Sequence, residues 1–170
     1  MSNKLDELLN NSDELQGLLE AHLQKPEKVQ IFKDAYTKFN INNQFKFAFS
    51  WSWWAFFGGA VYFLYRKMYS MALVIAAAQI ATAFLVSSNG LKFAFLVMCG
   101  LFAKYCYIAK FRKDLLLAKY GESSLSKVKE TLAALGGYHT WAIWVYFALT
   151  LSWVVFLLMA FLMASTMFSH

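Results

Sequence analysis

Few side chains in this sequence have the type and spacing that chemistry needs. His22, His139 and His170 stand alone, with no further histidine, cysteine or carboxylate at metal-ligand spacing. There is no glycine-rich phosphate loop, nucleophile elbow or zinc signature. The sequence therefore reads as a non-enzyme, with no catalytic residue, cofactor or metal ligand to name. Two polar side chains inside apolar runs could line a solute path: Lys104, the one charge in 91–109, and Gln79 in the uncharged run 68–86. Lys104 more simply snorkels its ammonium to the headgroups. The apolar runs contain no acid, so a carboxylate partner for it would come from Asp34, Asp114 or the N-terminal acids. Gln79, like Thr82, Thr150 and Ser152, more simply hydrogen-bonds a neighbouring helix or its own backbone. Arg66-Lys67 is a third candidate, a clamp for a lipid headgroup or a partner's carboxylate. Tyr62, Tyr65 and Tyr69 recur at steps of three and four, which puts them on one helical face around that pair. A tyrosine belt with a basic anchor at the bilayer surface accounts for the same residues.

The elements that must position these residues follow from composition. Of 170 residues, 59% are hydrophobic and 19% aromatic, while 15% are charged. A soluble domain is about 45–50% apolar and about 25% charged. The apolar excess falls after residue 47, and the runs 68–86, 91–109 and 141–168 approach or exceed the roughly 20 residues needed to cross hydrocarbon. Basic residues flank those runs and no nucleic-acid motif accompanies them, so the net charge of +6 points to anionic lipid rather than nucleic acid. Residues 1–28 are polar and acidic, so no cleavable signal is expected there. Cys99 and Cys106 lie seven apart on one helical face, about 10 Å along the axis. That is too far for a disulfide within the helix, and they read as small buried hydrophobes.

Ahead of the spans, residues 1–27 read as a cytoplasmic amphipathic helical region. Leu5, Leu8, Leu15 and Leu19 belong to its leucine stripe and are the candidate docking residues. Such a stripe packs on the rest of the chain, on a second copy or on another protein. Pro26 marks a boundary, residues 28–40 form a further apolar face, and Asn40 to Gln44 break it. Residues 45–57 hold eight phenylalanines and tryptophans, the composition of a bilayer interface. The expectation is an interfacial aromatic helix broken at Gly58-Gly59, in preference to a fourth span over residues 48–65. A second helix would then start near Ala60 and run unbroken through Arg66-Lys67 to Val86, because two charged residues make a poor turn between antiparallel spans. Leu125, Val128, Leu132 and Leu135 form another stripe, stopped by Gly136-Gly137.

Orientation follows from the basic residues. Lys92 stands alone beside the turn 87–90, whereas Arg66, Lys67, Lys110, Arg112, Lys113, Lys119, Lys127 and Lys129 fall on the other side. The N-terminus and the loop 110–137 are therefore placed in the cytoplasm and the C-terminus outside.

Ser50-Trp51-Ser52-Trp53-Trp54-Ala55-Phe56-Phe57-Gly58, followed by Tyr62-Phe63-Leu64-Tyr65-Arg66-Lys67-Met68-Tyr69, resembles the signature of a family of small bacterial inner-membrane proteins of unknown function. Gly100 to Tyr107 and Gly136-Gly137 are similar to weaker elements of that family. Gly59 and Val61 depart from its usual proline and tryptophan. The resemblance covers about residues 30–140 and implies location and topology, with no activity, cofactor or catalytic residue. The resulting expectation is an all-α membrane protein with N-terminal amphipathic helices, an interfacial aromatic helix and three transmembrane helices. Its segments are 1–27, a family-like membrane domain 28–140 and a last span in 141–170. The expected role is a non-catalytic inner-membrane subunit or adaptor, in contact with lipids and with a protein partner or a second copy. A small homo-oligomeric channel or transporter is the alternative.

Overall fold

The computed structural model describes residues 11–41, 44–85 and 87–167, without the side chains of 149, 157, 160–162 and 164–167. Leu5, Leu8 and His170 lie outside the described residues. The described chain is helical: α1 (Ser12–Leu23), α2 (Pro26–Phe39), α3 (Trp53–Gly58), α4 (Ala60–Tyr65), α5 (Tyr69–Leu85), α6 (Asn89–Leu117), α7 (Leu125–Leu135) and α8 (Trp141–Met167). A two-residue ribbon interrupts it, β1 (Asn40–Ile41) against β2 (Gln44–Phe45), antiparallel with Asn40 opposite Phe45. Asn11 caps α1 by accepting from Glu14 N–H, and Pro26 opens α2 in its first turn, where its missing N–H costs nothing.

The organising element is α6. Gly100, Ala103, Tyr107, Phe111 and Leu115 recur at steps of three and four and are buried along one face. Over the second half of that face lie α1, α2 and α7, whose apolar stripes meet there. Leu15 and Leu19 are 2% and 0% exposed, so these two candidate docking residues are spent inside the chain. Val128 and Leu132 of α7 are likewise buried, whereas Leu125 and Leu135 stay exposed.

The aromatic stretch is not one helix. Residues 46–52 carry no helix or strand, and helix begins only at Trp53. Gly59 breaks it as expected, with φ +47 and ψ −128, a region open to glycine alone. The expected unbroken helix from Ala60 to Val86 is also corrected. Gln79 Oε1 accepts from Ala60 N–H at 3.1 Å, whereas nineteen residues of straight helix would set them about 28 Å apart. The chain instead reverses at Arg66–Met68. Lys67 supplies the turn with φ +55, and Met68 N–H and Lys67 N–H return to Phe63 and Leu64 carbonyls. A left-handed lysine makes the turn without glycine or proline.

Away from the packed α1, α2 and α7 helices, α5 and α8 present apolar surface. Phe84 is 85% exposed on α5 and Trp144 is 74% exposed on α8, where Ala142 is fully buried. Among the described residues, α6 is the one helix long and apolar enough to cross a membrane; Tyr69–Leu85 and Trp141–Phe156 are shorter apolar stretches.

The two central glycines should respond oppositely to a methyl group. A Cβ on Gly59 would sit 2.2 Å from Gln79 Nε2 on a backbone that resists side chains, while one on Gly58 meets only Tyr62 Cβ at 3.4 Å. Gly59→Ala should cost about 1–3 kcal/mol, and Gly58→Ala should be neutral or mildly stabilising, by thermal unfolding in detergent. Equal effects would contradict this account of the break.

Candidate functional site

The polar residues that converge in this fold are ones that sequence spacing does not connect. At the last turn of α1, His22 is fully buried. Its Nε2 lies 2.9 Å from Asp114 Oδ2 on α6, and its Nδ1 lies 2.8 Å from the Tyr107 hydroxyl two turns earlier on that helix. A carboxylate only accepts, so Nε2 carries the proton and Nδ1 accepts from the Tyr107 O–H. Lys110 donates to the same Asp114 oxygen at 2.6 Å and to the Leu135 carbonyl at 2.9 Å, at the C-terminus of α7. Gly137 N–H donates to the His22 carbonyl at 2.7 Å. A Cβ on Gly136 would come within 2.2 Å of that oxygen, which is why the loop to α8 needs glycine there. The cluster therefore fastens the C-terminal ends of α1 and α7 to one turn of α6.

Arg66 borders the cluster. It is 5% exposed, and its guanidinium lies 5.3 Å from the ring centres of both Phe32 and Tyr107 and 5.5 Å from that of Tyr65. Tyr62 and Ser52 lie beside it, and its Nε and Nη1 are buried without a partner. Three aromatic faces offset part of the cost of holding a charge there. The headgroup anchor expected at Arg66 is thus an internal tie, because burial among rings removes it from the surface. Lys67 is half-buried in the turn.

The tyrosines expected on one face are separated by that turn. Tyr62 is buried on α4, and Tyr65 packs against Tyr138, whose ring also carries Lys25 Nζ at 4.5 Å. Tyr69 opens α5, 55% exposed, with its hydroxyl on His139 Nε2. His139 N–H donates to the Tyr65 carbonyl. Gln79 is committed to Ala60, while Thr82 and Thr150 donate to their own backbones. Lys104 is half-buried with Lys38 and Asp34 as its charged neighbours. Lys104 and Gln79 thus have separate partners. Cys99 and Cys106 are free, and no cluster of metal ligands occurs among the described residues.

The family model described as Protein of unknown function (DUF2628) matches residues 19–113. The chain belongs to this DUF2628 family. No curated protein and no solved structure matches it. The DUF2628 match runs from α1, through the aromatic segment and the Arg66 turn, to within one residue of Asp114. Both Arg66 and the His22–Tyr107 contact fall inside it. Reading His22 as isolated missed the site, because its partners are 85 and 92 residues away. The usable signal was the face shared by Tyr107, Lys110 and Asp114 at steps of three and four, which puts a carboxylate on an otherwise apolar stripe.

Burial holds the His22 imidazole below the ordinary histidine value, against the opposing pull of its Asp114 hydrogen bond. Unfolded chain then binds more protons than folded chain just below the unfolded value. Stability is fully present above about pH 6.5 and falls as pH drops from there toward the folded value. His22→Gln should abolish that segment of the pH–stability curve. Asp114→Asn should cost about 3 kcal/mol, since it strands Lys110 and the imidazole. A flat curve between pH 6.5 and 5 in the parent protein would contradict this account of His22.

Proposed function

We propose that the protein is a non-catalytic subunit or adaptor of the bacterial inner membrane. In this reading α5, the first two-thirds of α6, and α8 cross the bilayer. The α1, α2 and α7 helices form a cytoplasmic head that holds a protein partner or a second copy. The observation that carries the reading is α8. Trp153 to Phe156 are four consecutive apolar residues, all exposed, so at that level the helix is apolar and uncovered on every face. A helix apolar all round needs an apolar medium. In water, its thirteen exposed large side chains would forfeit about 1 kcal/mol each, on the order of the whole 5–15 kcal/mol stability of a domain.

Charge supports the orientation. Lys110, Arg112, Lys113, Lys119, Lys127 and Lys129 all belong to the end of α6 that carries the head, with Lys92 alone at the other. Lysine and arginine collect on the cytoplasmic side. The sealed His22 cluster supports a structural role for the most polar part of the core. It makes α6 one rod shared by head and membrane part, so whatever binds the head is held at the membrane. The leucine stripe of α1 is spent internally, which moves the docking surface to outward residues such as Ile31, 43% exposed on α2.

Two measurements test this. In a Cys99→Ala/Cys106→Ala background, Ser88→Cys should react with impermeant maleimide on intact spheroplasts, and Ser123→Cys only after lysis; the reverse pattern overturns the orientation. Ile31→Glu should abolish recovery of a cross-linked partner or second copy in mild detergent while leaving carbonate-resistant membrane association unchanged. Undiminished recovery would argue against docking through the head.

A further inference from the structure

The aromatic stretch read from sequence as an interfacial helix runs down α6 and, with residues 60–65, comes back. Phe45 stacks on Tyr105, with ring centres 4.7 Å apart and planes 11° from parallel, and Phe47 stacks on Phe102 at 4.6 Å. Ser52 N–H then donates to the Gly100 carbonyl at 3.0 Å. A Cβ on Gly100 would reach Trp51 at 3.0 Å and Phe56 at 3.2 Å, so the chain lies directly on the helix there. Phe56 meets Phe93 at 5.9 Å. The partners thus pass steadily down α6 from Tyr105 to Phe93, away from the head. After Gly59 the path reverses. Ala60 binds Gln79 of α5, and α4 returns to Arg66, whose guanidinium is again beside Tyr107.

The two limbs lie side by side, with Tyr62 of the returning limb next to Ser52 of the outgoing one. They also begin and end at one level. Tyr65 and Tyr69 both bond His139, two residues ahead of α8, and Arg66 lies on Tyr107. From that level, Gln79 lies ten residues along α5, about 15 Å at 1.5 Å per residue. Gly100 lies seven residues along α6, about 10 Å, and Phe93 fourteen residues, about 21 Å. The hydrocarbon layer is about 30 Å thick, so a tip between Gln79 and Phe93 sits near its middle.

We infer that residues 46–65 form a re-entrant hairpin that enters the bilayer from the cytoplasmic side, turns near mid-depth at Gly58-Gly59 and leaves at Arg66 on that same side. This rests on the membrane placement proposed above. Non-helical backbone at membrane depth survives where protein covers it, and the extended limb is laid against α6, with Ser50 and Ser52 buried. Its outer surface is the aromatic set Phe49, Trp53, Trp54 and Phe57, all more than 60% exposed and suited to hydrocarbon. The occupant of that surface is acyl chain rather than headgroup.

Spin labels in liposomes containing the full-length Cys99→Ala/Cys106→Ala chain test the hairpin. A label at Phe57→Cys should lie about 10–20 Å below the phosphates, by the ratio of oxygen to water-soluble nickel accessibility. Lys46→Cys and Lys67→Cys should both react with impermeant maleimide from one side, opposite to Ser88→Cys. A Phe57 label at headgroup depth means a flat interfacial helix, and Lys46 and Lys67 on opposite sides mean a full span; either overturns the hairpin. Ser88 on the side of Lys67 would overturn the membrane topology instead, and the Phe57 depth would still read out the hairpin.

Discussion

One face of a 29-residue helix sets the position of nearly everything else. Along α6, the buried residues Gly100, Ala103, Tyr107, Phe111 and Leu115 change from small to large as the helix leaves its apolar-surfaced half and enters the head. Where the face is small, the backbone of residues 51–56 lies directly on it. Where it is large, Phe32, Tyr36 and the leucines of α1 interlock with it. A rigid rod that offers different shapes at different levels needs few further instructions, because each segment finds one level at which it fits.

The polar residues follow the same logic. Asp114 is the carboxylate at the centre of the cluster, and it serves both Lys110 and His22. A buried network with every member satisfied rigidifies a core and specifies one arrangement. In the cluster, the imidazole, the carboxylate and the ammonium satisfy one another and also bind a helix terminus and a loop. Arg66 differs. Two of its nitrogens have no partner, and ring faces hold it. Its setting at the reversal between α4 and α5 explains why an arginine, whose flat guanidinium stacks on aromatic rings, stands where a lysine would be a poorly hydrated point charge.

Glycine matters where segments press closely together. Gly100 admits Trp51, Gly136 admits the His22 carbonyl, and Gly59 has a backbone conformation no other residue adopts cheaply. Each lies at a contact between segments far apart in the chain. These positions bind the aromatic segment, the loop before α8 and α1 to the same scaffold.

Local pattern was enough for the helices at 12–23, 26–39 and 125–135, for the break at Gly59 and for the stop at Gly136, because periodicity, proline and glycine act on neighbours. The resemblance to a family of unknown function agrees with the DUF2628 match. Local pattern could not show that Arg66-Lys67 ends a helix, since lysine adopts the left-handed turn only when Gln79 and Ala60 draw two helices together. Nor could it show that Leu15 and Leu19 face inward, because a stripe of leucines looks the same whatever covers it. His22, Tyr107 and Asp114 came together only through the packing of α1 on α6, at separations of 85 and 92 residues. Sequence determined which segments must hide apolar surface; tertiary structure decided against what, because burial has no direction until a second surface is in place.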